Sequence, residues 1–146
     1  MIAVDTNILV YAHREDSPFH RGAFRCIAER AEGRANWGIP WPCLHEFLAI
    51  VTHPRIYAPP SPLARAIDQV NAWLESPTLE LLTESATHWT TLRTLLVRGR
   101  VAGGLVHDAR VAALCRQHDV RELWSADRDF GRFTGVTVVN PLVGDR

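Results

Sequence analysis

The chain alternates short apolar runs with longer stretches in which apolar residues recur every three or four positions. Its first run, "MIAV", stops at Asp5, and apolar residues resume at once in "NILVYAH". Short uninterrupted runs suit buried strands, and the three-to-four spacing suits helices that bury one face. Residues 2–5 are therefore predicted as a strand and 7–14 as a helix. "SPFHRGAFRCIAERAEG" (17–33) offers Ser17 as N-cap, Pro18 in the first turn and Gly33 as terminator, with Phe24, Ile27 and Ala28 as its apolar stripe. "NWGIPW" predicts a second strand. "PCLHEFLAIVTH" predicts a helix starting on Pro42 that buries Leu44, Phe47, Leu48 and Val51.

Ser61-Pro62 marks another helix start, and 79–83 a third strand. A helix over 85–98 would use Trp89, Leu92, Leu95 and Leu96. Gly103-Gly104 precedes "LVHDARVAALCRQHDV", a helix whose Ala109, Ala112 and Ala113 permit close packing. "ELWSA" and "VTVVNP" supply the last strands. Strands alternating with helices predict an α/β fold: one domain over 1–146, with a mostly parallel central sheet flanked by helices on both faces.

Open parallel sheets bind ligands beyond the carboxyl ends of their strands. Asp5 and Asp127 both follow predicted strands and so fall there. Glu46 lies one turn into the helix from Pro42, and Asp108 lies early in the helix after Gly103-Gly104. Both have apolar neighbours and sit at the margin of a buried stripe. Glu29, Glu32, Glu75 and Glu84 lie in polar stretches and are expected to be solvated.

Taken singly, each of the four acids has a structural explanation: a helix cap for Asp5, arginine pairing for Glu46 and Asp108, a turn for Asp127. Taken together they do not. Two like charges roughly 5 Å apart at an effective dielectric of 20 cost about 3 kcal/mol. Four converging carboxylates must either keep protons or be neutralised by a cation, and an all-oxygen carboxylate set suits Mg²⁺ or Mn²⁺.

Composition narrows the chemistry. All sixteen cationic residues are arginine, which excludes a Walker P-loop and Schiff-base catalysis because both need a lysine. A formal net charge of zero excludes capture of a polyanion by bulk positive charge. No apolar stretch approaches a membrane span, and no signal-peptide pattern opens the chain. Three cysteines without a C-x-x-C pair suggest neither a disulfide framework nor zinc, so a reducing cytoplasm is expected.

"MIAVDTNILVYA", "PCLHEF", "HDARVAA" and "SADRDF" resemble, in order and spacing, the motifs of PIN-domain ribonucleases, in particular the VapC-type toxins of bacterial toxin–antitoxin pairs. The resemblance is weakest between about residues 54 and 83. It implies Asp5 and Asp108 as principal metal ligands, with Glu46 completing the set or holding a metal water. Asp127 would serve a second metal or its water, and Asp129 would be more peripheral. Asn7 would support the site by hydrogen bonding, and Ser125 fills the place where the family often has Thr or Ser.

The implied activity is Mg²⁺- or Mn²⁺-dependent endoribonucleolysis, in which water attacks an RNA phosphodiester and leaves a 5′-phosphate and a 3′-hydroxyl. The implied partners are the RNA substrate, a small antitoxin that inserts a segment into the acidic cleft, and a second copy of the chain in a homodimer.

His45 and His107 adjoin Glu46 and Asp108, but neighbours on a helix point about 100° apart, so neither need face the site, and a surface or capped role is expected. Arg14, Arg98, Arg100, Arg110, Arg128 and Arg132 flank the motifs as candidate grips on RNA phosphates. Trp37 and Trp41 flank Pro40 near the expected cleft as candidates for stacking on a base, whereas Trp89 and Trp124 sit at core spacing. Two other functions are open. Phosphoryl transfer through an aspartyl-phosphate on Asp5 is disfavoured by Asn7, where such phosphatases usually place a second Asp, and by the missing lysine. A catalytically inactive PIN-like module binding RNA or protein would not need all four acids.

Overall fold

Strands of three or four residues persist only where both faces are covered, and the chain meets that condition with helices on either side of its sheet. A computed structural model describes residues 1–143; the last three residues of the predicted domain lie outside the described residues. The elements run β1 (Ile2–Val4), α1 (Thr6–His13), α2 (His20–Glu32), β2 (Trp37–Pro40), α3 (Trp41–Val51), α4 (Leu63–Leu74), β3 (Leu79–Leu82), α5 (His88–Arg98), α6 (Leu105–Gln117), β4 (Glu122–Trp124) and β5 (Thr137–Val139). A 3₁₀ turn, Arg128–Arg132, lies between the last two strands. The sheet order is β3-β2-β1-β4-β5, and every pairing is parallel.

The strand order reverses between β1 and β4, where Ile2 faces Glu122 and Val4 faces Trp124. One crossover path leaves β1 towards β2 and β3, the other leads to β4 and β5, and the connections diverge above this point. A crevice at the carboxyl ends follows from the topology. The core that holds it includes Val4, Ile8, Leu9, Ile39, Phe47, Leu82, Leu95, Leu114 and Leu123, all at most 1% exposed. On α6, Ala109, Ala112 and Ala113 are fully buried, as the small-residue pattern predicts.

Several predicted details are corrected. Ser17 does not cap α2 and α5 does not begin at Ser85: the two hydroxyls accept from the amides of Phe19 and Thr87 and form local turns, and the helices begin at His20 and His88. Ser61 likewise leaves α4 without a side-chain cap, because its hydroxyl is taken by His13 and Arg14. Phe24 and Trp89 are surface residues, 59% and 64% exposed, rather than parts of buried stripes. Trp37 is fully buried, donating its indole N–H to Ser76, and so cannot stack on a base. Trp124 does belong to the core. Glu84 is exposed, as expected, and pairs at the surface with Arg110 at 3.1 Å.

Candidate metal centre

Asp5 stands where β1 becomes α1. Its backbone N–H completes the sheet by donating to Trp124 at 2.9 Å, and its side chain caps α1 through the Thr6 amide at 2.8 Å. Its other carboxylate oxygen accepts from the Ser125 hydroxyl at 2.7 Å and from the Asn7 amide at 3.3 Å. The Cys43 thiol approaches the capping oxygen at 3.5 Å. The N-cap reading and the site reading of Asp5 are therefore both satisfied by one side chain.

Ser125 ties the two central strands together. Besides donating to Asp5, its hydroxyl accepts from the Asp127 amide at 3.0 Å and from Asn7 at 3.1 Å. Asn7 returns across the gap, accepting from the Ala126 amide at 3.0 Å. A hydroxyl and an amide thus fix the ends of β1 and β4 against each other, and with them Asp5 and Asp127. Asp127 caps the 3₁₀ turn, accepting from the Asp129 amide at 2.8 Å.

The helices bring the remaining acids. Gly103 adopts φ +61°, a conformation that favours glycine, immediately before α6. Asp108 lies in the first turn of α6, and Glu46 in the second turn of α3. Asp5, Glu46, Asp108 and Asp127 all line one cleft of about 600 Å³. Carboxylate oxygens of Asp108, Asp127 and Asp129 lie within 4.8 Å of one another. Asp129, predicted as peripheral, joins that tight group as an exposed member. Asp5 lines the same cleft but faces into the hydrogen bonds that hold it.

Burial, and then the charges of Asp127 and Asp5, push the Asp108 carboxyl up to about 6. Burial also raises Asp5, opposed by its hydrogen bond to Ser125. Glu46, at the rim, is raised by partial desolvation and by Asp5, while His107 acts in the opposite direction. Among the described residues no guanidinium forms an ion pair with any of these acids. The donor set is all oxygen, and the Thr6 hydroxyl, buried in the cleft wall, has no partner of hydrogen-bonding geometry. These residues fit a hard divalent cation.

His45 and His107, both exposed, line the cleft. An angular step of about 100° still leaves two adjacent residues within reach of one broad groove. Arg110 also lines it, held on its outer side by Glu84. Arg14 does not: it is bound to Asp16 and to the Pro59 carbonyl.

Residues 2–136 match the model of the PIN domain. The chain is 36% identical to Ribonuclease VapC33 of Mycobacterium tuberculosis over 142 residues, covering 97% of this chain and 99% of that one. It belongs to the PIN-domain family of VapC ribonucleases. Ribonuclease VapC48 of the same organism is 30% identical over 140 residues, covering 96% and 97% of the two chains. Among solved structures, the fold matches that of Mycobacterium tuberculosis VapC20, a Sarcin-Ricin loop cleaving toxin, with a TM-score of 0.68 at 18% identity over 90% of this chain and 93% of that one. It also matches VapBC2 from Rickettsia felis, bound there to a DNA fragment from their promoter, with a TM-score of 0.66 at 19% identity over 95% and 98% of the chains. Among the described residues no helix is long and apolar enough to cross a membrane.

Proposed function

We propose that this VapC-family PIN domain is a divalent-metal-dependent endoribonuclease and the toxin of a toxin–antitoxin pair. The observation that carries the reading is a set of carboxylates drawn into one cleft without a cationic partner. Asp5, Asp108 and Asp127 would hold Mg²⁺ or Mn²⁺, with Glu46 and Asp129 at the margin. When bound, the cation supplies an acidified water and charge stabilisation at a phosphoryl oxygen.

The protein's own part is positioning. Thr6 and Ser125 hold the Asp5 carboxylate in one orientation, and the same Ser125 hydroxyl sets the backbone at Asp127. Glu46, which lines the same cleft, would accept a hydrogen bond from the attacking water. RNA enters from the open side of the cleft, where its phosphate meets the acids only with their charge compensated.

An antitoxin that lays a cationic segment into the cleft would block it by the same electrostatics, and a homodimer is the expected assembly. The reading is tested by incubating the purified protein with RNA and Mn²⁺ or Mg²⁺. Cleavage leaving 5′-phosphates, abolished by EDTA and restored by added metal, is the expected result; cleavage that persists in EDTA refutes it. Size-exclusion chromatography with light scattering reads the assembly.

A further inference from the structure

The acidic cleft does not end at its acids. Pro42 and Arg110 line it and also line an adjoining depression of about 320 Å³, whose other walls are Trp41, Leu82, Thr83, Glu84 and Leu114. The metal centre and the depression therefore share a wall. A space of this size, lined by apolar side chains together with the paired Arg110 and Glu84, is of the class that takes a flat small-molecule group.

Two side chains give it character. Trp41 is the first residue of α3 and lies between Pro40 and Pro42, whose rings restrict the local backbone. Its indole rests against His45 with ring centroids 5.8 Å apart, yet the residue is 37% exposed. Part of an aromatic face is thus open to solvent beside the acidic cleft. Arg110 is fixed by Glu84, which accepts from its Nε at 3.2 Å and pairs with its terminal nitrogen at 3.1 Å. Its side chain nevertheless remains 40% exposed. Glu84 compensates part of its charge and holds the guanidinium at the junction of the two spaces.

We infer that Trp41 and Arg110 form a nucleobase subsite, in which the indole stacks on a base next to the scissile phosphate and the guanidinium contacts the adjoining backbone. The inference rests on the ribonuclease reading and names how that site grips single-stranded RNA. Stacking suits any base because each has a π-face, and it demands an unpaired strand whose bases can be splayed out. Net charge supplies little long-range attraction here, since the protein is neutral, and stacking adds affinity that bulk charge does not.

The test measures affinity for a short single-stranded oligoribonucleotide and for an abasic ribose-phosphate oligomer of the same length. It compares the unmodified protein with Trp41→Phe and Trp41→Ala. Wild type should prefer the base-bearing strand by roughly 5- to 100-fold, the range of one stacked base. Trp41→Ala should lose most of that preference while binding the abasic strand unchanged, and Trp41→Phe should keep most of it. In cleavage, Trp41→Ala should raise KM more than it lowers kcat. Equal preference for bases in wild type and Trp41→Ala overturns the subsite. So does parallel loss of affinity for both strands, which would mark a structural role. Cleavage that persists in EDTA, or no RNA binding by wild type, removes the ribonuclease reading itself and is recognised without the variants.

Discussion

Two depressions of nearly equal volume mark this molecule, about 600 Å³ at the carboxyl ends of β1 and β4 and about 650 Å³ where α1 meets the start of α4. In the second, Arg14, His13 and Ser61 are paired with one another or with neighbours. Arg14 chelates Asp16 at 2.6 and 2.9 Å and stacks over Tyr57 at 4.1 Å. His13 is bonded through both ring nitrogens, to Gln69 and Ser61. In the first, the acids face one another. Size does not distinguish the two, but the balance of charge does: one pocket pairs Arg14 with Asp16, and the other gathers carboxylates that a ligand of positive charge would complete.

The sharpest way to break this contrast is to neutralise one acid on each side. Asp5→Asn or Asp108→Asn should lower RNA cleavage by roughly 100-fold or more, the scale of losing a group that stabilises charge in the transition state. Asp16→Asn should leave cleavage unchanged. Single-turnover rates on one RNA, in saturating Mn²⁺, decide it. Equal effects of the acidic-cleft and Asp16 variants would mean that the acidic cleft is no more functional than its counterpart.

Ser125→Ala comes next. It removes the hydroxyl that orients Asp5 and receives the Asp127 amide, while leaving all the acids in place. Loss of such an outer hydrogen bond typically costs about 10- to 100-fold in metal affinity or activity. The Mn²⁺ concentration for half-maximal cleavage should rise accordingly, and wild-type metal dependence in this variant would detach Ser125 from the site. The paired change Ser61→Ala, in the other pocket, should leave metal dependence unaltered.

A third, smaller effect is thermal. Mn²⁺ at about a hundred times its dissociation constant should stabilise the wild type by about 2.7 kcal/mol. This appears as a higher melting temperature by calorimetry, and Asp108→Asn should remove most of the rise.

Much of this contrast was legible before the fold was known. The positions of Asp5 and Asp127 after apolar runs, and of Glu46 and Asp108 at the edges of apolar stripes, place all four at one sheet edge once the strands are parallel. The burial of Trp37 was not legible, because a tryptophan beside a strand reads alike whether it faces core or cleft, and its bond to Ser76 spans 39 residues. Nor was the exposure of Trp89, since helical spacing fixes which residues share a face but not whether anything covers it. Ser17 misled for a local reason: a hydroxyl that can cap a helix can equally close a turn just ahead of it. The second pocket was invisible, as its partners come from separate segments with no shared motif.

The smallest effect separates the pockets by sign. In the metal-free protein the Asp108 carboxyl is raised from its ordinary value near 4 to about 6. The folded state then binds the proton more tightly than the unfolded chain, so this contribution is fully present below about pH 4 and is lost as pH rises to about 6. Asp16, held below the usual carboxylate range by Arg14, behaves oppositely: its contribution is present above the unfolded value and disappears as pH falls through the folded one. In EDTA near pH 7, Asp108→Asn should therefore raise the melting temperature, by on the order of a few degrees, because it deletes a repelled charge. Asp16→Asn should lower it, and by less, because the pair it breaks is exposed. Between pH 4 and 6 the advantage of Asp108→Asn over wild type should grow with pH, and in excess Mn²⁺ at pH 7 it should reverse. If Asp108→Asn instead destabilises the metal-free protein, the carboxylate is already compensated within the fold, and the acidic cleft is as complete without a cation as the pocket around Arg14.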